Sequence, residues 1–184
     1  MWDVVRFTEY HQYEIVIIEN VVEAKLYWPP YRGWLVAMDN LGYNYHECFL
    51  NSKHFMPVPQ SRDRMYVVFW KKGNPKPDLN FRPKAPCKCC GGEVEAYQRF
   101  NKDRTAGKYQ KQYHYLCSIC KSKFEPYFYS ALNVIDWSIP MVKIGERKKP
   151  LADKTMERIK YGLQKYRNQN LVITNGYSSG VECR

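Results

Sequence analysis

Four cysteines in two matched pairs carry the plainest chemistry in this sequence. Cys87-x-x-Cys90 and Cys117-x-x-Cys120 are separated by 26 residues. Two such knuckles supply four thiolates in a tetrahedron, the geometry of a structural Zn²⁺ site, and the intervening length suits two strands joined by a loop. The product is a zinc ribbon. Cys89 stands beside Cys90 and could replace it as the first-knuckle ligand. Cys48 and Cys183 read as ordinary buried or terminal thiols. A second constellation lies upstream: Glu19 follows the apolar run Ile15–Ile18, so its carboxylate emerges at the carboxyl end of a strand, where open α/β sheets put their chemistry. Gln60, Arg62 and Arg64 form a third group just before the apolar run Met65–Trp70. Arginines at i and i+2 of an extended segment point the same way, and each guanidinium can hold a carbonyl oxygen or a phosphate in a fork.

The elements that must carry these groups can be read from the pattern. Trp2–Tyr10 is compatible with a short helix. Glu14–Val22 is an apolar run of the kind buried on both faces of a parallel sheet. Trp28-Pro29-Pro30 breaks the chain. Trp34, Leu35, Met38 and Leu41 then fall at helical spacing over Tyr31–Leu41, with Gly42 at the capping position. Tyr43–Leu50 and Met65–Trp70 are further strands. Residues 73–86 hold Pro75, Pro77, Pro83 and Pro86 among alternating charges and read as a linker. Strand-like segments at Glu93–Phe100 and Tyr109–Leu116 lie inside the cysteine-bracketed insert. An amphipathic helix is expected over Asp153–Tyr166, with Met156, Ile159, Leu163 and Tyr166 on one stripe. Thr174–Arg184 is Gly- and Ser-rich.

Charge points to an anionic partner. The chain has 29 Lys+Arg against 18 Asp+Glu, a formal net charge of +11. Residues 1–50 contain three basic and seven acidic side chains, a net of −4, so the remainder carries +15. Within residues 99–124, Arg99, Lys102, Arg104, Lys108, Lys111, Lys121 and Lys123 face only Asp103. Such a back half suits phosphate, although a solvated basic surface gives the same composition. Tyr109, Tyr113 and Tyr115 are interleaved with these charges; they could stack on bases or form the ribbon's own core. His114 reads as an exposed strand residue. The longest uncharged apolar runs are far short of the roughly 20 residues that span a bilayer, and no secretory signal stands at the front. A cytoplasmic chain, associated with nucleoid or viral DNA and with reduced thiols, is expected.

The Glu19-Asn20-Val21 block and the Gln60-x-Arg62-x-Arg64 block, with Leu50-Asn51-Ser52 and Pro57-Val58-Pro59 leading into the latter, resemble two blocks of the cytosine-C5 DNA methyltransferases in order and rough spacing. Met1–Tyr13, with Trp2 and Arg6, looks like the segment before the glutamate block. Pro150-Leu151 and Lys154–Ile159 look like the stretch leading to the target-recognition region. The likeness covers residues 1–70 and 150–167, and the Gln60 block is its most specific part.

The resemblance implies the latter part of a Rossmann-like methyltransferase sheet over 1–72, a linker at 73–86, an inserted zinc ribbon at 87–129, and the start of a target-recognition region at 130–184. It implies methyl transfer from S-adenosylmethionine to a cytosine flipped out of double-stranded DNA. Glu19, Arg62 and Arg64 would hold the base, Gln60 would brace the site and the DNA, and Trp2 and Asn20 would border the cofactor. Arg99, Arg104, Lys108 and Lys111 would meet DNA. The family's nucleophile is a cysteine in a Pro-Cys-Gln loop ahead of the glutamate block, and only 18 residues precede Glu19. The Gly-rich turn that binds the cofactor is absent too, as is the late block that completes its pocket. Pro86-Cys87 lies after the arginine block and is better explained as a metal ligand. The expectation is therefore a chain inactive by itself, either a fragment, a decayed frame, or one half of a split enzyme completed by a second polypeptide. The alternative is a non-catalytic DNA-binding zinc subunit of such an enzyme.

Overall fold

A computed structural model describes residues 1–140 and 143–167; Cys183 and the Thr174–Arg184 tail lie outside them. The chain divides into two compact units, Met1–Ile135 and Asp136–Arg184.

In the first unit, α1 (Trp2–His11) leads into β1 (Ile15–Asn20), and α2 (Glu23–Tyr27) and α3 (Tyr31–Asn40) precede β2 (Tyr43–Asn51) and β3 (Asp63–Lys71). Helix α3 ends where expected: Gly42 takes φ 89°, a left-handed conformation that a Cβ would penalise. The three strands form a sheet in the order β1-β3-β2, with β3 antiparallel to both neighbours. This corrects the reading of Glu14–Val22 as a strand buried on both faces of a parallel sheet. β1 runs parallel to β2 in direction, but β3 lies between them, and β1 is an edge strand among the described residues. Its burial alternates, leaving Ile15 and Ile17 54% and 65% exposed while Val16 and Ile18 pack inward. An apolar run alone cannot separate a central parallel strand from an edge strand with apolar residues on both faces. One face of the sheet, through Met65, Val67 and Phe69, packs on Tyr31, Trp34, Leu35 and Met38 of α3.

The insert forms a second sheet in the order β4-β5-β6-β7, antiparallel throughout: β4 (Lys84–Cys87), β5 (Gly92–Phe100), β6 (Tyr113–Cys117) and β7 (Lys123–Phe124). Lys84–Pro86, at the end of the proline-rich stretch, already belong to β4. This is an edge strand, where Pro86 removes no interior ladder bond. Residues alternate strictly along β6: Tyr113, Tyr115 and Cys117 are buried, while His114 and Leu116 face outward. The tyrosines are therefore core and not a stacking surface. They share one hydrophobic cluster with Phe49, Met65 and Phe69 of the first sheet, and Gln98 Nε2 donates to the Phe49 carbonyl at 2.6 Å across the junction.

The second unit carries α4 (Asp153–Lys165), whose Met156, Ile159 and Tyr166 are half-buried on one stripe while Leu163 is exposed. Among the described residues no helix is long and apolar enough to cross a membrane.

Candidate functional site

Antiparallel pairing brings the two upstream blocks together. Glu19 pairs with Tyr66 and Asn20 with Met65, so the end of β1 lies beside the start of β3. Arg64 Nε sits 2.5 Å from Glu19 Oε1, with Arg64 mostly covered and Glu19 half exposed. Arg64 Nη1 also donates to the Asp63 carbonyl at 2.7 Å. The positive charge of Arg64 reaches Glu23 as well. That carboxyl is held below its ordinary range by the hydrogen bond from Lys108, then by its own backbone, with Arg64 a smaller contributor.

The arginine segment hangs from the end of β2. Asn51 is fully buried; its Nδ2 donates to Ser61 Oγ at 3.2 Å and to Asp63 Oδ1 at 3.0 Å, and its Oδ1 accepts from the Lys53 amide at 3.0 Å. Ser52 adds two bonds, its amide to the Arg62 carbonyl at 3.0 Å and its hydroxyl to the Gln60 carbonyl. The Gln60 and Arg62 side chains remain exposed. An arginine–carboxylate pair open on one side can grip a planar group bearing donors and acceptors along one edge. Sequence reading named Asn51 only as part of the lead-in and passed over Ser61 and Asp63. Their signal was the short polar type (Asn, Ser, Asp) that bonds neighbouring backbone and turns at strand ends.

The cysteine site is built as the spacing requires. The sulfurs of Cys87, Cys90, Cys117 and Cys120 all lie within 4.8 Å of one another. The Cys87–Cys120 and Cys90–Cys117 separations are 3.5 and 3.8 Å, against about 3.8 Å for a tetrahedron with Zn–S bonds near 2.3 Å. Cys89 is exposed and outside the cluster, so Cys90 is the first-knuckle ligand. Each knuckle turns through a left-handed residue after its second cysteine, Gly91 at φ 74° and Lys121 at φ 63°. The Ile119 and Cys120 amides donate to Cys117 Sγ at 3.3 and 3.4 Å, and the Ser122 hydroxyl lies 3.0 Å from Cys120 Sγ. The Ser122 hydroxyl and amide bring the Cys120 thiol down to about 6, a thiolate at neutral pH. Cys90 is pushed up to about 12, first by its hydrogen bond to Cys120 and then by desolvation, and a cation bound among these sulfurs would displace its proton. The donor set, the distances and the amide and hydroxyl shell fit zinc.

The family model for C-5 cytosine-specific DNA methylase matches residues 1–177. The chain belongs to the C-5 cytosine-specific DNA methylase family. No curated protein matches it.

In this methylase chain the outer face of the ribbon is basic. Arg99 pairs across the ladder with His114, whose imidazole is shifted down by burial and then by Lys123 and Arg99. Arg99, Arg104 and Lys111 are exposed, whereas Lys108 is drawn to Glu23 at 2.5 Å. For S-adenosylmethionine, the methyl donor of the family, the fit is poor. Trp2 is half exposed and lies edge-on to Trp28 at 6.3 Å, and the Asn20 Oδ1 is occupied by the Val21 amide at 2.8 Å. The β1–α2 turn beside them, residues 20–22, holds no glycine.

Proposed function

We propose that this chain supplies the base-holding side of a DNA (cytosine-5-)-methyltransferase, its three-stranded sheet forming the latter part of a Rossmann-like catalytic sheet. The observation that carries this reading is the Glu19–Arg64 pair at 2.5 Å, in which two blocks distant in sequence close on each other at the ends of neighbouring strands. Addition of a thiolate to C6 of cytosine becomes easy only when negative charge at N3 is relieved, and a carboxyl group aimed at N3 and the exocyclic amine does this. Glu19 takes that role. Arg64 orients the carboxyl group and reaches the base carbonyl oxygen, and the exposed Arg62 and Gln60 brace the flipped strand. Arg99, Arg104 and Lys111 on the ribbon take DNA phosphates.

The attacking thiolate is not Cys87, whose sulfur belongs to the metal cluster. No Pro-Cys-Gln occurs in these 184 residues. The nucleophile and the cofactor turn then come from residues outside these 184, on the same polypeptide or on a second one, and these residues by themselves transfer no methyl group. Detectable transfer by the chain alone would contradict that.

The base-holding role is tested by binding. The chain should prefer a duplex bearing an unpaired cytosine over the same duplex with an abasic site, and Glu19→Ala or Arg64→Ala should erase the difference, about tenfold for one good charged contact. Equal binding of the two duplexes by the unmodified chain would sink the reading.

A further inference from the structure

We propose that the Lys108–Tyr109 turn of the zinc ribbon is a positioning clamp for the Glu19–Arg64 pair, so that the metal-bearing insert sets the geometry of the site as well as meeting DNA. The inference deepens the base-holding reading and rests on it for its functional meaning, but its geometry stands apart from it. Two contacts leave this one turn, one to the start of α2 just beyond the Glu19 block and one into the arginine block. Lys108 Nζ lies 2.5 Å from Glu23 Oε1, four residues beyond Glu19. The Tyr109 amide donates to Asp63 Oδ1 at 2.8 Å, and Asp63 immediately precedes Arg64.

The second contact transmits directly. Asp63 is held through its carboxylate by the amides of Tyr109 and Asn51, and its own carbonyl accepts from Arg64 Nη1 at 2.7 Å. The remaining Arg64 nitrogen of interest, Nε, faces Glu19. The ribbon backbone thus holds Asp63 by its carboxylate, and the main-chain carbonyl of the same residue holds the guanidinium that reaches the Glu19 carboxylate. Arginine's fork is planar, so fixing one of its nitrogens fixes the direction of the others.

The turn is stiff enough to act as a reference point. The Lys108 amide donates to Gln112 Oε1 at 2.8 Å, and the Lys108 carbonyl accepts from the Gln112 amide at 2.9 Å. The Tyr109 ring is buried edge-on against His54 at 4.6 Å, with Tyr113 and Tyr115 each at 5.7 Å. Its amide is therefore aimed by a packed aromatic cluster. A ribbon needed only to grip phosphate has no use for a lysine paired with a carboxylate at the start of α2, outside the ribbon.

The test uses the full, zinc-loaded, ¹⁵N-labelled chain and reads the Arg64 Nε–H resonance, assigned by its loss in Arg64→Lys. Its exchange with water should quicken at least about tenfold in Asp63→Ala and in Lys108→Met, the change that loss of one charge-assisted hydrogen bond produces. Asp63→Asn keeps an acceptor oxygen for both amides and should restore the slow exchange to within about twofold, which a general loss of structure would not allow. Zinc should stay at one equivalent throughout. Lys108→Met changes a side chain at the surface and keeps the proposal falsifiable if Asp63→Ala fails to fold. An Arg64 signal unmoved in Lys108→Met and in Asp63→Ala, with zinc retained, overturns the clamp. If the signal loosens in variants of a chain that shows no preference for an unpaired cytosine, the clamp stands and the base-holding reading falls. The reverse pattern, an intact cytosine preference with an unmoved Arg64 signal, removes the clamp alone.

Discussion

Cys89 and Cys90 are adjacent and chemically equal, and only geometry tells them apart. The sequence leaves both open; in the fold the Cys90 sulfur lies 3.8 Å from that of Cys117, and Cys89 stands outside the cluster. Cys89→Ser should keep one equivalent of zinc, whereas Cys90→Ser should weaken binding by more than the ~10–100-fold that loss of an outer partner brings. Ser122→Ala removes such an outer partner and should fall within that range; metal content against a competing chelator measures all three. His54 makes a different case. It is buried between Tyr109 and Tyr115, and among the described residues neither ring nitrogen finds a hydrogen-bond partner. Burial, then the neighbouring Lys53 charge, bring its imidazole down to about 4, with Glu125 opposing. The folded value lies below the unfolded one of about 6.5, so the unfolded chain binds the extra proton and stability falls as pH drops from about 6.5 to 4. His54→Phe keeps the edge-to-face rings and cannot titrate. Denaturant melts at pH 7 and 4.5 should show the unmodified chain losing about 2 kcal/mol more than the variant over this window. Equal losses would remove His54 as the cause.

At the level of elements, periodicity located α1, α3, α4 and the strands around Glu19, Phe49, Val67 and Tyr97, because each has a run long enough to show its period. It missed α2, a five-residue helix too short to show one, and it misjudged β1. β1 carries isoleucine or valine at four successive positions, so its pattern hides which face is inside. Residue types single out Glu19 and Arg64 at the strand ends, and their contact follows once β1 is laid antiparallel to β3. What the sequence could not offer was the use of the ribbon turn, since Asp63 and Lys108 look like ordinary surface charges until their partners are seen. That turn depends on Gly107, where an added Cβ would lie 2.2 Å from Gln112 Cβ and 2.8 Å from Gln112 Cγ. Both are close to the backbone and cannot swing aside. Gly107→Ala should displace the turn and destabilise the first unit by about 1–3 kcal/mol, as overpacking does. An unchanged melt together with an unchanged Tyr109 amide resonance would show that the turn tolerates the methyl group.

Across the whole first unit, the two sheets are tied into one core despite the proline-rich stretch between them in sequence. Tyr113 and Tyr115 of the ribbon belong to the cluster that holds Phe49, Met65 and Trp34, and Lys53 pairs with Glu125 across the same junction. The ribbon is poorly equipped to stand without metal. β4 has four residues and β7 two, and the described cysteines form no disulfide that could replace the ion. Zinc held by these four cysteines would therefore be folding energy for the ribbon, and the shared aromatics would pass it on to the sheet that carries Glu19 and Arg64. With free zinc a thousand-fold above its dissociation constant, the linkage is worth about 4 kcal/mol. Two probes separate the parts. With Trp137 of the second unit replaced by Phe, emission from Trp2, Trp28, Trp34 and Trp70 reports the first sheet and its helices, and the labelling rate of the ribbon thiols reports the second. On heating the zinc-loaded, reduced chain, both should change at one temperature, and chelation should lower that temperature for both together. If the thiols become reactive while tryptophan emission stays native, the sheets are separately stable, and the metal then does not bear on the Glu19–Arg64 pair.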